Sequence, residues 1–293
     1  MRTSVRTNTS VSKKSNPFVL TTLLTVFLLA FSACSAPSTT ETGSDTGTSD
    51  AGLIHITVGA SPVPHADILN YVQENLAAAA GIEIEIVEFT DYVQPNLALA
   101  DGEIDANFFQ HVPYLTDFNT EHGTDLVSVA AVHIEPLGIY SNTLTSLDEL
   151  SDGAVVGIPN DATNAGRALN LLAANGLITL ADGVGYAATV ADITANPRNL
   201  EIVELEAAQL VRSLEDTAIS VINGNYALEG GLTPATDALA LESGENNPYA
   251  NVLVVAAGHE NDEGIQILIQ LLNSAEVRQY IEDNYNGSVI PAF

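Results

Sequence analysis

The sequence predicts an α/β fold with mostly parallel strands. Strand-like runs alternate with apolar residues at helical spacing over residues 53–293, which is the rhythm of β-α-β units. The chain shows no repeat of solenoid period. At about 240 residues, this part is long enough for two α/β lobes or for one large domain.

The first set of predicted elements begins with a strand over 53–58 and a helix over 65–80. Ile82, Ile84 and Ile86 then alternate with glutamates, which is typical of a strand with one wet face. The alternation continues with predicted helices over 94–99 and 114–122 and predicted strands over 104–108 and 126–132. These elements can form a sheet of their own.

A second set of predicted elements follows Pro136. It contains strands over 154–158, 200–205 and 218–222 and helices over 163–175 and 209–214. A strand over 251–257 and two amphipathic helices over 262–272 and 275–285 close the chain.

The segments 133–140 and 251–257 are the expected crossings between two lobes. The C-terminal helices then return to the lobe that contains the first strands. We therefore expect one lobe to comprise residues 53–135 plus 251–293 and the other to comprise residues 136–250.

The N-terminus has the order of a signal peptide: basic residues within the first 14 positions and then an apolar run over 17–33. As a helix this run spans roughly 25 Å, which is short of the roughly 30 Å hydrocarbon core of a bilayer. The end of the run, LLAFSAC, resembles the bacterial lipobox, in which the cysteine is lipidated and becomes the mature N-terminus. We predict a signal peptide over 1–33.

Cys34 is the single cysteine of the chain, so it predicts a lipid anchor and leaves no disulfide and no thiol nucleophile for the rest of the protein. The alternative is a free thiol in a cleaved leader. The segment after it, up to Gly52, is rich in Ser, Thr, Gly and Asp, a composition typical of a flexible linker. We predict a lipidated cysteine and linker over 34–52.

The charge of the chain excludes several partners. Beyond Lys14 the fixed cations are four arginines, which face 37 acids, so the formal charge of the mature chain is near −33. Such a field repels nucleic acid and anionic lipid. An anionic group on a ligand needs a local cation to overcome it.

Five segments place polar and aromatic residues at strand ends or helix starts: 59–65, 91–96, 105–114, 158–167 and 222–227. Four of their aromatic residues are suited to an apolar small-molecule pocket with polar tips, namely Tyr92, Phe109, His111 and Tyr114. The alternative is that these rings fill the core.

Arg167 stands out as one of the four cations. Its guanidinium fork matches a carboxylate, and Asn164 lies one helical turn away on the same face. The alternative is an ion pair on a helix surface. Asn223 and Asn225 follow a predicted strand, where their amides can donate to and accept from a zwitterion.

The motifs NFFQHVPYL, IPNDATNAGRAL, EPLGIYS and INGNYA resemble those of the methionine-binding lipoproteins of bacterial ABC importers, the NlpA/MetQ family. The likeness extends from the lipobox to the C-terminus. It implies a two-lobed, periplasmic-binding-protein-like fold of type II, with a hinge and a ligand cleft between the lobes.

The resemblance also implies a role for each candidate residue. The side chain of an apolar amino acid, L-methionine first, lies among Tyr92, Phe109, His111 and Tyr114. Arg167 takes the ligand carboxylate. The remaining expected contacts are Asn164, Asn223, Asn225 and Tyr226. The implied partners are the permease and ATPase subunits of the importer, with the protein anchored to a cell or outer membrane and facing the periplasm or exterior.

Three other functions compete with this one. An enzyme is disfavoured because the sequence contains neither Gly-x-Ser-x-Gly nor His-Glu-x-x-His, and no cofactor is expected. A metal-binding lipoprotein of an importer is the nearest alternative, with candidate ligands His55, His65, His111, His122, His133 and His259. A surface antigen without a ligand is the third.

Overall fold

The computed structural model describes residues 52–293. The predicted signal peptide, Cys34 and all but the last residue of the predicted linker lie outside the described residues. Within residues 52–293, no helix combines the length and the apolar character that crossing a bilayer requires.

The larger of the two main sheets has six strands, with the bounds β1 Ile54–Ala60, β2 Ile82–Glu88, β3 Ala106–His111, β4 Val127–Ile134, β12 Ala250–Val255 and β13 Ile290–Pro291. Their order across the sheet is β13-β4-β12-β3-β1-β2. β1 runs parallel to both β2 and β3. β12 inserts antiparallel between β3 and β4, and β13 pairs antiparallel with β4.

The second sheet has five strands, with the bounds β5 Gly138–Tyr140, β6 Val155–Pro159, β9 Glu201–Leu205, β10 Ile219–Ile222 and β11 Ala240–Leu241. Their order is β11-β5-β10-β6-β9. β6 is parallel to β9 and β10, whereas β5 is antiparallel to β10 and β11. A separate short hairpin pairs β7 Thr179–Leu180 with β8 Ile193–Ala195.

The expectation of mostly parallel sheets was wrong, because both sheets are mixed. The antiparallel pairs arise where the chain passes from one sheet to the other. β4 ends at Ile134 and β5 begins four residues later in the other sheet, and β12 returns to the first sheet directly after the second is complete. Strands next to such crossings enter their sheet without the helical crossover that a parallel neighbour requires.

The helices mostly match the predicted ones. The first helical stretch, α1 (62–80), joins the segments Pro62–Ala66, Asp67–Val72, Gln73–Ala77 and Ala78–Ala80. The others are α2 Gln94–Ala100, α3 Val112–His122, α4 Ala162–Ala174, α5 Leu210–Ser213, α6 Gly224–Glu229, α7 Pro234–Asp237, α8 Glu263–Leu272 and α9 Ala275–Tyr285. Short 3-10 turns occur at Leu147–Glu149, Gly185–Ala187, Val190–Asp192 and Ala207–Gln209.

Each main sheet has its own hydrophobic core. α1, α8 and α9 pack their buried residues, such as Ile68, Leu268 and Ile281, with those of the six-stranded sheet. α4 packs Leu169 and Leu172 with the central strands of the five-stranded sheet.

β3 extends three residues beyond the predicted strand end at 108, although the added segment contains Gln110 and His111. All six of its residues are buried. Gln110 and Asn107 hydrogen-bond to Asn96 and to each other. These bonds compensate the desolvation of polar groups, which otherwise excludes them from a buried strand.

Gly166 lets α4 approach the segment that carries the exposed Tyr186. A Cβ atom at this position would lie 2.1 Å from the Tyr186 carbonyl oxygen and 3.1 Å from that of Ala188. We predict that Gly166→Ala lowers the free energy of unfolding by about 1 to 3 kcal/mol, because the helix and segment must separate. Urea denaturation measures the loss. Gly52→Ala is the control, since a Cβ atom added there would have no other atom within 4 Å, and an equal effect of both would contradict the prediction.

Candidate functional site

A cavity lies where strand ends of both main sheets meet. It is lined by Tyr92, Phe109, Gln110, His111, Tyr114, Glu135, Asn164, Arg167, Asn223, Gly224, Asn225 and Asn251. These residues come from the connection between β2 and α2, the end of β3, the first turns of α3, α4 and α6, the connection from β4 to β5, and β12. Strand ends and helix starts supply the free polar groups that such a site needs.

Eight of the predicted site residues line this cavity together: Tyr92, Phe109, His111, Tyr114, Asn164, Arg167, Asn223 and Asn225. Tyr226 does not line it. Its hydroxyl donates to the Thr90 carbonyl oxygen at 3.2 Å, and its ring lies 5.0 Å from that of Tyr92. Tyr226 therefore supports the aromatic wall from behind.

One wall of the cavity is aromatic. The ring of Tyr92 lies 5.9 Å from Phe109 and 5.8 Å from Tyr114, within the usual range for interacting aromatic pairs. The Tyr114 hydroxyl donates to the Tyr92 carbonyl oxygen at 2.9 Å. The Tyr92 hydroxyl donates to Asn225 Oδ1 at 2.5 Å, and burial raises the pKa of Tyr92 well above its usual value. The wall is thus uncharged, with its polar tips directed at fixed partners.

His111 joins this wall to the polar side of the site. As the residue that caps α3, it accepts a hydrogen bond at Nδ1 from the Tyr114 backbone N–H. Nε2 therefore carries the proton and donates to Asn164 Oδ1 at 3.2 Å. Burial, and then the charge of Arg167, lower the pKa of His111 to about 3. His111 is a neutral imidazole with both nitrogens in use.

Asn164 is oriented by Asp161, which caps the N-terminus of α4. Asn164 Nδ2 donates to both carboxylate oxygens of Asp161, at 3.0 and 3.1 Å. Its Oδ1 must then face the cavity side, where it also accepts from Asn223 Nδ2 at 3.1 Å. This chain of bonds fixes the Asn223 amide as well.

Two polar atoms are left over by this network. Asn223 Oδ1 and Asn225 Nδ2 are buried and have no hydrogen-bond partner within residues 52–293. A buried polar group without a partner costs about 1 to 3 kcal/mol. The site therefore presents one unused acceptor and one unused donor next to the aromatic wall.

Arg167 is buried with only 4 % of its side chain exposed, so it is not a surface ion pair. Its Nε donates to both carboxylate oxygens of Glu242 at 3.0 Å. Its Nη2 donates to Glu242 Oε2 at 2.5 Å and to the Glu135 carbonyl oxygen at 2.8 Å. The ring of Tyr249 stacks 4.3 Å from the guanidinium carbon. The Arg167 guanidinium, which the family resemblance assigns to the ligand carboxylate, is thus already paired with a carboxylate of the chain itself.

Glu135 lies at the centre of a buried cluster beside the cavity. His133 Nε2 lies 2.7 Å and His65 Nε2 lies 3.2 Å from its Oε1, and His65 Nε2 is also 3.0 Å from Asn251 Oδ1. Burial lowers the pKa of His65 to about 4 and that of His133 to about 3. Burial also raises the pKa of Glu135, whereas His65 and Arg167 act in the opposite direction.

This cluster also bears on metal binding. Within residues 52–293, His65, His133 and Glu135 are the group whose ligand atoms lie within 4.8 Å of one another. Both imidazoles direct Nε2 at oxygen acceptors, so Nε2 carries the proton. To bind a cation, each proton would have to move to Nδ1, which is buried without a partner in the described chain. The donor set therefore fits a hydrogen-bonded carboxyl group better than a metal centre, where the second ring nitrogen normally has an acceptor.

The other candidate metal ligands are dispersed. His55 lies 3.6 Å from Glu83, and His259 pairs with Asp262 at 2.8 Å, both on the surface. His122 packs on Phe118 with ring centroids 4.1 Å apart. His111 is occupied as described above.

Several site residues were not identified from the sequence: Gln110, Glu135, Gly224, Glu242, Tyr249 and Asn251. Glu135 offered a signal, because it is a single acid between an apolar strand and Pro136 in the EPLGIYS motif. Gly224 is needed because a Cβ atom there would lie 2.7 Å from the Cβ atom of Glu135. Glu242 offered none, since it is one of 37 acids.

A wider cleft adjoins the cavity and shares Tyr92 and Tyr114 with it. Carboxylates dominate its charged lining, which contains Asp91, Asp117, Glu121, Asp161, Glu204 and Glu206. A ligand that reaches the cavity through this cleft meets a field that repels anions.

The family model described as NlpA lipoprotein matches residues 56–293. The chain is 44 % identical over 238 residues to the D-methionine-binding lipoprotein MetQ of Escherichia coli K12, covering 80 % of this chain and 88 % of the relative. It is 41 % identical over 275 residues to the methionine-binding lipoprotein MetQ of Bacillus subtilis 168, covering 92 % and 96 %.

A solved structure shows the same fold. The nutrient binding protein from Burkholderia cenocepacia, whose structure is bound to methionine, superimposes with a TM-score of 0.79 at 42 % identity. The match covers 81 % of this chain and all of that one, 100 %. The described residues therefore have the two-lobed fold of these substrate-binding proteins.

The buried histidines predict an acid-sensitive fold. Because the pKa of His133 is lowered from 6.5 to about 3, the unfolded chain binds more protons below pH 6.5. The contribution of neutral His133 to the free energy of unfolding is therefore complete above pH 6.5. It is lost as the pH falls from 6.5 towards 3. Burial raises the pKa of Glu135, so this carboxyl group changes the free energy of unfolding with pH in the opposite direction.

We predict that His133→Gln reduces the loss of unfolding free energy between pH 7 and pH 5 by about 2 kcal/mol relative to the wild type. Gln retains an N–H donor for Glu135 but does not titrate. Urea denaturation at both pH values measures the difference. An unchanged pH dependence would show that His133 does not contribute.

Proposed function

Because the chain belongs to the NlpA lipoprotein family, we propose that it is the substrate-binding lipoprotein of an ABC importer and that its ligand is methionine. The observation that carries this proposal is the composition of the cavity. An uncharged aromatic wall lies opposite a guanidinium, a buried carboxyl group and two amide atoms without partners among the described residues. This combination matches a zwitterion with an apolar side chain.

The aromatic wall would take the ligand's thioether side chain. Tyr92, Phe109 and Tyr114 offer ring faces and edges, and a polarisable sulfur packs favourably against aromatic rings. His111 is neutral and so adds no charge next to this side chain. An apolar pocket separates ligands by only about 1 to 3 kcal/mol per methylene, so related apolar amino acids would bind more weakly rather than not at all.

The polar side would take the two charged ends of the ligand. The carboxylate would accept from Arg167 Nη1 and Asn225 Nδ2, neither of which has a partner within residues 52–293. The ammonium group would donate to Asn223 Oδ1 and to Glu135. These contacts would remove the cost of the unpaired buried atoms, which gives binding part of its driving force. L-Methionine is the first ligand to test and D-methionine the second.

Ligand binding would hold the two lobes together. We assign residues 53–135 plus 251–293 to one lobe and residues 136–250 to the other. The aromatic wall then belongs to the first lobe, and Arg167, Asn164, Asn223 and Asn225 belong to the second. A ligand that contacts both sides favours the closed state, because those contacts exist together only there.

The closed form would dock on the permease of the importer. The energy for transport would come from the ATPase subunits, since this sequence has no Gly-x-x-x-x-Gly-Lys phosphate loop. The protein is a membrane-associated lipoprotein. We assign its anchor to Cys34, with the protein facing the periplasm or exterior from the cell membrane or outer membrane.

Removal of the cavity's cation tests the proposed ligand site. We predict that Arg167→Ala abolishes tight binding of L-methionine, measured by isothermal titration calorimetry, while near-UV circular dichroism remains that of a folded protein. The loss follows because a hydrogen bond between charged groups is removed from a buried site. Arg212→Ala removes the same charge from an exposed helix position and serves as the control. Unchanged affinity of the Arg167 variant would contradict the assignment.

The anchor is tested separately from the ligand site. We predict that Cys34→Ala leaves the affinity for methionine unchanged but moves the protein out of the membrane fraction, because no lipid can be attached. Fractionation of cells that express each form, followed by immunoblotting, measures this. Retention of the variant in the membrane fraction would contradict the assignment of Cys34.

A further inference from the structure

We propose that Glu242 is a positioning residue, which orients the guanidinium of Arg167 so that one nitrogen, Nη1, is presented to the carboxylate of the ligand. This inference rests on the proposed function of the cavity. Glu242 does not line the cavity, and its effect on the ligand would be exerted through Arg167.

The N–H donors of Arg167 are only partly used within residues 52–293. A guanidinium has five N–H groups: one on Nε and two on each terminal nitrogen. Glu242 takes the Nε donor and one donor of Nη2, and the Glu135 carbonyl oxygen takes the other. Within residues 52–293, Nη1 has no hydrogen-bond partner, so both of its N–H groups are available.

Glu242 is itself rigidly held. Its backbone N–H donates to the Leu137 carbonyl oxygen at 2.8 Å, and its Oε2 accepts from the Leu137 backbone N–H at 3.3 Å. It directly follows β11, which pairs with β5 through Leu241 and Gly138. Backbone and side chain are thus fixed to the connection between β4 and β5, the same connection that supplies Glu135.

The rotation of the guanidinium is restricted by Tyr249 at one face and by Glu242 along one edge. Tyr249 covers one face at 4.3 Å, which leaves rotation within the guanidinium plane. The contacts of Glu242 with Nε and Nη2 prevent that rotation, because they fix two neighbouring nitrogens of one planar group. Only 18 % of the Glu242 side chain is exposed, so water does not easily replace these contacts.

Glu242→Gln tests this role with little change in volume. The amide retains one oxygen acceptor but presents an NH₂ group where the second acceptor stood, so the two-point contact is lost. We expect the affinity for L-methionine, measured by calorimetry on the full chain in detergent, to fall about 10-fold. Glu245→Gln removes the same charge from an exposed position on the same loop and should bind as the wild type does.

A double-mutant cycle separates positioning from a general structural effect. The affinity for L-methionine is measured for the wild type, for Glu242→Gln, for Arg167→Lys and for the variant that combines both substitutions. If Glu242 acts through the guanidinium, the substitution causes no further loss when lysine replaces Arg167. An equal loss of affinity in both backgrounds, or unchanged affinity of Glu242→Gln, would overturn the proposal.

A spectroscopic readout does not depend on a ligand. The ¹⁵N–¹H spectrum of arginine Nε–H groups is simple here because the full chain has six arginines, and the Arg167 signal is the one absent from Arg167→Lys. We expect this signal to be protected from exchange with water in the wild type and in Glu245→Gln, and exchange-broadened in Glu242→Gln. An unchanged signal in Glu242→Gln would overturn the proposal. Failure of the wild type to bind methionine would instead contradict the proposed function, while this spectrum would still decide whether Glu242 orients Arg167.

Discussion

The buried charge of Arg167 is the constraint on which the arrangement of this site depends. An unpaired charge in a protein interior is so costly that it requires compensation from the surrounding chain. Here the compensation comes from Glu242, the Glu135 carbonyl group and the ring of Tyr249. All three residues lie in the connections through which the chain passes from one sheet to the other. The position of the cation is therefore tied to the connections between the sheets.

A second hydrogen-bond network fixes the orientation of the site amides, because each partner leaves only one possible orientation of the next side chain. Asp161 can only accept, so Asn164 directs its NH₂ group at it, and Asn223 must direct its own NH₂ group at Asn164. Tyr92 donates to Asn225 and so takes that amide's oxygen. The leftover atoms are an acceptor on Asn223 and a donor on Asn225. The free-energy cost of desolvating these two atoms is therefore already included in the folded state. A ligand with complementary charges offsets this cost when it binds.

Much of this fold could be predicted from the sequence, because amphipathic periodicity reports which face of an element is buried. The helix over Ala162–Ala174 lies within one residue of its predicted bounds, and the strand over Ile82–Glu88 contains the alternating isoleucines that predicted it. The mixed character of the two sheets could not be predicted, since strand direction next to a crossing depends on tertiary topology. The extension of β3 was missed because its polar residues satisfy one another only after folding.

Site residues in local sequence motifs could likewise be predicted, whereas those placed by long-range packing could not. Residues in distinctive local motifs, such as His111, Arg167 and Asn223, were found because strand ends and helix starts are local features. Glu242 lies 75 positions from Arg167, and no local pattern separates it from the other acids of the chain. A partner chosen by long-range packing carries no signature in its own segment. Glu135 is intermediate, since its motif marked the segment but not the role of the carboxyl group.

The strongly acidic surface and the composition of the cavity are consistent with each other once the net charge of the ligand is considered. A zwitterion has no net charge, so the mature chain, with a formal charge near −33, neither attracts nor repels it over long distances. The two charged ends of the ligand interact instead with groups of the cavity, over a few ångströms. There, Arg167 is the guanidinium of the site, Glu242 and Glu135 lie close to it, and Asp161 holds the Asn164 amide. An anionic analogue that lacks the ammonium group would meet the acidic cleft and then these acids without offsetting contacts, so the same charges that keep the protein soluble also select against it.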